Sequence, residues 1–171
     1  TRFTIELELP IASEQQIHEK KENQIEELAK NLNGCRILLA EDNDLNAEIA
    51  MTILQEHGVQ VERAVNGEEC VEMLKAQTAD YYDAVLMDIQ MPVVNGYDAA
   101  RAIRQLTTPH AAVSIIAMTA NAFEEDKQKA FAAGMDAYIT KPVDVVSMMK
   151  TLHQIIETHR SDPDLSENKY L

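Results

Sequence analysis

Short apolar runs alternate with stretches of helical periodicity five times along residues 35–158, and this alternation constrains the fold more than any other feature. Each run has the length of a buried strand. Strands that alternate with helices form parallel βαβ units with helices on both faces of the sheet. The sequence therefore predicts an α/β domain of the (β/α)5 type, with a doubly wound, five-stranded parallel sheet. The predicted strands lie at 37–40, 84–87, 113–118 and 137–139, and Val59 and Val61 begin a further strand between the first two of these.

The segments between these runs repeat apolar residues at the spacing of an α-helix. The repeat predicts which side of each helix faces the core. The core faces predicted in this way contain Leu45, Ile49 and Ile53 in one helix, Phe123, Ala130 and Phe131 in a later one, and Val145, Met148, Met149, Leu152 and Ile156 in the last.

Composition excludes several classes of protein. Of the 171 residues, 46% are hydrophobic and 26% are charged, which is the balance of a soluble globular protein with an ample core. The formal net charge of -14 repels nucleic-acid backbones and anionic membranes, so we predict no nucleic-acid partner and no direct membrane contact. Cys35 and Cys70 form no CxxC pair, which argues against structural zinc and indicates reduced thiols in a cytoplasmic protein.

The chain before the α/β domain divides into two segments. Residues 1–12 alternate apolar and polar side chains and predict a half-buried strand. Residues 13–34 predict a polar linker helix, with a weak coiled-coil seam as the alternative. A single strand cannot bury its own apolar face, so we expect residues 1–10 to pack against the α/β domain or to pair between two chains as a dimer. Residues 159–171 form a polar C-terminal tail.

The residues directly after each apolar run are candidates for a functional site. In open parallel sheets, ligands bind beyond the carboxyl ends of the strands. A single acid at such a position is more often a helix cap or a turn residue than a ligand. Here, however, chemically complementary groups follow four different strands in order. They are Glu41 and Asp42, then Asp88, then Thr119, and finally Lys141 followed by Pro142.

These groups predict phosphoryl transfer. Three neighbouring carboxylates repel one another unless a cation lies among them. A site of oxygen ligands without His or Cys favours a hard divalent ion, and few protein ligands favour Mg²⁺. A carboxylate such as Asp88 can attack phosphorus while the metal and the Lys141 ammonium neutralise the phosphoryl oxygens and the Thr119 hydroxyl hydrogen-bonds the product.

Four motifs carry a resemblance to a known family: ILLAEDN (37–43), LMDIQMP (86–92), AMTA (117–120) and AYITKP (137–142). Together they make residues 35–158 resemble a response-regulator receiver domain of two-component signalling, which has the flavodoxin/CheY-like fold. The forms EDNxxN and MDIQMP are most similar to receivers fused to hybrid sensor histidine kinases. Residues 1–12 resemble the last strand of a histidine-kinase ATPase domain.

The resemblance implies a phosphoacceptor and its metal ligands. Asp88 is implied to accept a phosphoryl group from the phosphohistidine of a histidine kinase or of a histidine phosphotransfer domain. Asp42, Asp88 and the backbone carbonyl of Gln90 are implied to ligate Mg²⁺, with Glu41 acting mainly through water.

The resemblance also implies how the domain switches. Lys141 and the Thr119 hydroxyl are implied to contact the phosphoryl group, and the small side chain of Ala120 leaves the acceptor accessible. Tyr138 is implied to be the aromatic residue that moves inward after Thr119 has moved. The Lys141–Pro142 bond is expected to be cis, unlike most X-Pro bonds.

Three alternative functions stay open, each with less support from the sequence. A receiver that serves only as an unphosphorylated scaffold would be expected to lack the acceptor or the lysine, and both are present. An FMN binder of the same architecture needs a Ser-, Thr- and Gly-rich first loop, whereas residues 40–46 read AEDNDLN. A phosphatase with an aspartate nucleophile would need a DxD pair where this chain has DIQ at 88–90.

We expect the chain to be part of a longer hybrid histidine kinase, because it begins with Thr1 rather than Met. Neither a glycine-rich ATP lid nor a phosphoacceptor-histidine helix is evident, and His18 is expected to be a solvated side chain. The kinase activity, and any anchor in the inner membrane, would then lie in segments outside this sequence.

Overall fold

The computed structural model describes residues 14–120 and 123–161. The predicted strand at residues 1–12 and most of the predicted tail lie outside these residues. The described strands are β1 (Arg36–Ala40), β2 (Gln60–Ala64), β3 (Ala84–Asp88), β4 (Ser114–Thr119) and β5 (Ala137–Thr140). The helices are α1 (Glu14–Leu32), α2 (Asp44–Glu56), α3 (Gly67–Ala76), α4 (Gly96–Arg104), α5 (Glu124–Ala132) and α6 (Val145–Ser161), with a short 3₁₀ helix at Pro109–Ala112. Within the described residues, no helix has the length and apolarity needed to cross a bilayer.

The five strands form one parallel sheet in the order β2-β1-β3-β4-β5. This confirms the predicted doubly wound α/β architecture. The order changes direction between β1 and β3, which lie side by side although β2 separates them in the sequence. A crevice opens at such a switch point, beyond the carboxyl ends of the two strands. The topology therefore places the residues that follow β1 next to the end of β3.

Two apolar clusters cover the two faces of the sheet. Successive side chains of a strand point to opposite faces, so Leu38 of β1 joins one cluster while Ile37 and Leu39 join the other. The first cluster includes residues of α3, α4 and α5, and the second includes residues of α1, α2 and α6. All of β3 is buried. The central strands are thus covered on both sides, which explains why they read as continuous apolar runs.

Helix α2 buries a different face from the one that its large apolar residues predicted. Leu45 and Ile49 are 65% and 49% exposed, and Ile53 is only partly buried. That prediction was wrong because two small alanines on the other side of the helix pack on the sheet. The buried residues of α2 are Ala47, Ala50 and Leu54.

Helix α5 shows the same kind of error. Phe123 and Phe131 were predicted to face the core, but they are 71% and 49% exposed. Only Ala130 of the predicted set is buried. Phe123 is the N-cap residue and has an extended backbone, so the helical spacing on which the prediction depended does not apply to it.

The predicted linker helix packs onto the α/β domain. Helix α1 contacts α6, and its last turns contribute Leu32, which is 1% exposed, together with the partly buried Leu28 and Ala29. The chain then turns at Gly34, whose φ of 82° favours glycine. The C-terminal part of α1 therefore belongs to the core of the domain.

Candidate functional site

Three carboxylates meet in the crevice between β1 and β3. Glu41 and Asp42 follow β1, and Asp88 is the last residue of β3, so that adjacent strands deliver them to one edge of the sheet. Each offers an oxygen atom, and these oxygens lie within 4.8 Å of one another. Glu41 and Asp88 are 2% and 6% exposed, whereas Asp42 is exposed. Two of the three charges are therefore removed from water.

Lys141 holds two of these carboxylates at once. Its Nζ atom lies 2.5 Å from Oε2 of Glu41 and 2.8 Å from Oδ2 of Asp88. The lysine follows β5, and its backbone N–H donates to the carbonyl of Thr119 at 2.7 Å. The Lys141–Pro142 bond is cis, as expected. The ends of β4 and β5 thus place one ammonium group beside the acids.

Burial and the Lys141 charge act in opposite directions on the ionisation of Asp88. Burial, together with the Glu41 charge, raises the pKa of Asp88 above its ordinary value, although Lys141 and the N–H of Gln90 favour its ionised form. That N–H lies 3.2 Å from Oδ1 of Asp88. Burial also opposes the charge of Lys141, but its hydrogen bonds to Asp88 and Glu41 prevail and raise the pKa of the lysine.

One ammonium group therefore faces three carboxylates. The excess of negative charge, the all-oxygen donor set and the partial exposure of the crevice through Asp42 fit a small divalent cation that keeps some of its water.

Gly96 lets the chain pass close to the backbone of Asp88. A Cβ atom at this position would lie 2.3 Å from the backbone oxygen of Asp88, so no larger residue fits without a shift of the backbone. The N–H of Gly96 donates to the carbonyl of Ile89 at 3.0 Å, and Asn95 caps α4 by accepting from the N–H of Asp98. The loop after β3 therefore folds back tightly against the site.

The remaining predicted residues surround this cluster at different distances. Gln90 is exposed and contributes its N–H to Asp88. Thr119 is the last residue of β4 and is 8% exposed. Tyr138, on β5, pairs with Ala117 of β4, two residues before the level of Thr119, and it is half-buried. The structure thus joins the acids and the lysine at one edge, and it leaves Tyr138 on the flank.

The Tyr138 ring has its own neighbours. It makes an edge-to-face contact with Phe131, with 6.2 Å between the ring centroids. The Lys127 ammonium lies 4.7 Å from the centroid of the tyrosine ring. Both neighbours belong to α5, so a movement of Tyr138 would disturb that helix.

Sequence reasoning missed two residues that organise the acids. Asn46 donates from Nδ2 to Oε1 of Glu41 at 3.1 Å. Arg63, on β2, donates to the backbone carbonyls of Glu41 and Asp42. The signal for Asn46 was the EDNxxN spacing, which puts it in the first turn of α2. Arg63 had no signal beyond its place next to the end of a strand.

Comparison with known proteins identifies the class to which this arrangement belongs. The family model of the response regulator receiver domain matches residues 37–153. The chain belongs to this family, and it is a receiver domain of two-component phosphorelay signalling.

Its relatives among curated proteins include histidine kinases. The chain is 38% identical over 122 residues to hybrid signal transduction histidine kinase M of Dictyostelium discoideum, a match that covers 70% of this chain and 5% of that protein. It is 33% identical over 177 residues to histidine kinase 5 of Arabidopsis thaliana, covering 89% of this chain and 18% of the relative. The chain thus spans less than a fifth of the length of either relative.

Two solved structures are similar over the whole domain. The receiver domain of a sensor histidine kinase from Pseudomonas aeruginosa is 36% identical, with a TM-score of 0.66 and coverage of 72% of this chain and 98% of that one. That structure has a magnesium ion coordinated in its active site cleft. The co-crystal structure of the Saccharomyces cerevisiae phosphotransfer protein Ypd1 with the receiver domain of Ssk1 matches at 30% identity and a TM-score of 0.69, covering 75% and 92% of the two chains.

Proposed function

We propose that Asp88 accepts a phosphoryl group from a phosphohistidine and that the domain changes conformation in response. The observation that carries this proposal is the position of Lys141, whose ammonium group contacts Asp88 and Glu41 together. A lysine in this position can neutralise a phosphoryl group that becomes attached to Asp88. A purely structural ion pair would need only one of the two acids.

Mg²⁺ is the cofactor that we propose for the acidic cluster. Asp42, Asp88 and the backbone carbonyl of Gln90 would hold it, and Glu41 would act through a water molecule. When bound, the ion supplies positive charge that offsets the phosphoryl oxygens and the clustered carboxylates. The magnesium ion in the similar Pseudomonas receiver supports this assignment.

The residues of the chain carry out the transfer by positioning and by charge. An Asp88 oxygen forms a bond to phosphorus as the phosphorus–nitrogen bond of the phosphohistidine breaks, and the bonding electron pair stays with the imidazole nitrogen. The product is an acyl phosphate on Asp88. Lys141 then shifts its contact from the carboxylate to a phosphoryl oxygen, and the Thr119 hydroxyl donates a hydrogen bond to another.

The switch follows from the added charge. A phosphoryl group carries roughly -1.5 to -2 charges at neutral pH. Thr119 and Lys141, at the ends of neighbouring strands, are attracted to it, and Tyr138 on β5 repacks against α5. Only the difference in interaction energy between the two conformations shifts their populations.

A surface beside the acids fits a phosphohistidine-bearing partner. Leu45 and Ile49 expose apolar side chains on α2, the helix that begins next to the acidic cluster. Ile49 also lines a groove of about 160 Å³ that reaches Lys141 and Val143. The yeast co-crystal structure, in which a similar receiver is bound to a phosphotransfer protein, supports a partner of this kind.

The phosphoacceptor assignment is tested by intact mass. The protein is incubated with Mg²⁺ and a small acyl phosphate, as wild type, as Asp88→Asn and as Asp80→Asn, an exposed acid outside the site. Wild type and Asp80→Asn should each gain one base-labile phosphoryl group, while Asp88→Asn should gain none. Wild-type protein that gains no phosphoryl group would point to the unphosphorylated scaffold instead.

The partner surface is tested with a protein donor. Leu45→Asp should slow phosphorylation by a phosphohistidine protein at least several-fold and leave phosphorylation by the small donor unchanged. Ala76→Asp introduces an acid at another exposed apolar residue, at the end of α3 on the other face of the sheet, and it should affect neither donor. Equal rates for the two variants with the protein donor would rule out the α2 surface.

A further inference from the structure

Arg63 ties the loop that carries the two adjacent acids to the neighbouring strand. Its Nε atom donates to the carbonyl of Glu41 at 3.0 Å, and one terminal nitrogen donates to the carbonyl of Asp42 at 3.1 Å. The other terminal nitrogen lies 2.8 Å from Oδ1 of Asp44. The arginine is near the end of β2 and its side chain is 21% exposed. Each of its three nitrogens thus has a separate acceptor.

These contacts fix the direction of the loop backbone. The N–H of Glu41 donates to the carbonyl of Ala64, so that β2 holds Glu41 at both its N–H and its C=O. The Asp42 carbonyl is held as well. Asn46 orients the Glu41 carboxylate directly, but Asp42 is exposed, and its direction depends on the backbone.

The contact with Asp44 contributes little to the role of Arg63. The Asp44 side chain is 94% exposed, and an ion pair with so exposed a partner contributes little to stability. The contact with the Glu41 carbonyl is partly buried, and the contact with the Asp42 carbonyl is exposed. The main effect of Arg63 is therefore on the backbone geometry of the loop at residues 41–42.

We propose that Arg63 is a positioning residue of the metal site, because it holds the loop 41–42 so that both carboxylates face Asp88. The inference rests on the Mg²⁺ site proposed above. If Arg63 acted only through its charge, it would weaken Mg²⁺ binding, because a cation beside the site repels Mg²⁺. Geometry and charge can therefore be separated by a variant that keeps the charge and loses the geometry.

Arg63→Lys is that variant. A lysine keeps the positive charge and a long apolar stem, but its single ammonium nitrogen cannot reach three separate acceptors. Arg36→Lys is the matched control, because Arg36 begins the neighbouring strand at the opposite end of the sheet and also hydrogen-bonds across to β2. Circular dichroism and thermal unfolding establish first that both variants are folded.

Mg²⁺ affinity is then measured by isothermal titration calorimetry. Residues that orient metal ligands typically contribute 10- to 100-fold to affinity, so Arg63→Lys should weaken Mg²⁺ binding by about 10-fold. Arg36→Lys should bind as wild type does. The Mg²⁺ concentration for half-maximal phosphorylation by a small donor should rise by the same factor, while the extent at saturating Mg²⁺ stays unchanged.

Two results would overturn the inference. Wild-type affinity in Arg63→Lys would do so, even if its thermal midpoint falls, because the arginine would then be only a structural contact. A failure of wild-type protein itself to bind Mg²⁺, with Asp42→Asn behaving identically, would overturn the proposed metal site and the inference with it.

Discussion

Val93 has a left-handed backbone, with a φ of 67°, and among residues 14–120 and 123–161 it is the one residue other than glycine that does so. A β-branched side chain in this region is strained by roughly 1–2 kcal/mol. The side chain is 77% exposed, so packing does not compensate for the strain. The strained residue lies in the tight loop that runs from Asp88 to Gly96.

Replacing Val93 with a residue that tolerates this backbone should stabilise the protein. Val93→Asn should raise the free energy of unfolding by about 1 kcal/mol in urea titrations. Val65→Asn, at an exposed valine outside the left-handed region, should give no gain. Equal effects of the two substitutions would mean that backbone strain is not the cause.

Cys70 links stability to alkaline pH. The thiol is fully buried on α3, and burial raises its pKa from 9.0 to about 12. In the unfolded chain the thiol ionises near its ordinary pKa. Between these two pKa values the unfolded state releases a proton that the folded state keeps. The contribution of the thiol to the free energy of unfolding is therefore complete below about pH 9 and is lost as the pH rises above it.

The size of this loss can be measured by difference. Each pH unit inside the window costs about 1.4 kcal/mol for one such group. The stability of wild type relative to Cys70→Ala, measured in urea, should therefore fall by about 2 kcal/mol between about pH 9 and about pH 10.5. A difference in stability that stays constant with pH would show that folding does not raise the pKa of the Cys70 thiol.

At the scale of the elements, α1 extends the apolar core beyond the residues that match the receiver family. The receiver match begins at residue 37, yet Leu32 of α1 is 1% exposed and joins the apolar cluster that contains Met149 and Leu152 of α6. The last turn of the helix therefore covers apolar surface that would otherwise meet water.

Truncating Leu32 should consequently destabilise the domain. Leu32→Ala should lower the free energy of unfolding by about 2–4 kcal/mol, as expected for a buried leucine. Lys30→Ala, at an exposed position of the same helix, should change it by less than about 0.5 kcal/mol. If the two variants unfold at the same urea concentration, α1 does not belong to the cooperative unit.

The elements also show how far the sequence could predict this structure. Most strands were predictable because they contain apolar runs, although β2 also carries Glu62 and Arg63. Glu41, Asp42 and Asp88 were found because they directly follow two of these runs. The inner faces of α2 and α5 were mispredicted, because periodicity weights large side chains, whereas alanines such as Ala47 let a helix approach the sheet closely. Arg63 could not be found, because its acceptors are backbone carbonyls, which every residue has.

At the scale of the whole molecule, the net charge of -14 opposes the compact state and attracts cations. Salt screens both effects, with a Debye length of about 10 Å at about 0.1 M. In EDTA, raising sodium chloride from about 0.05 M to about 0.5 M should raise the thermal midpoint by a few degrees and should weaken Mg²⁺ binding measured separately. A midpoint that falls with salt would contradict this account.

The chain enters β1 and completes α6 at the edge of the sheet opposite the acids. The N–H of Asp83 donates to the carbonyl of Arg36 at the start of β1, and Asp83 lines the same groove as His159 near the end of α6. In the function proposed above, a donor attached beyond the end of α6 would have to reach Asp88 around the domain. The length of the tether would then set the local concentration of the donor at Asp88, so the rate of phosphorylation could be tuned without changing any residue of the site.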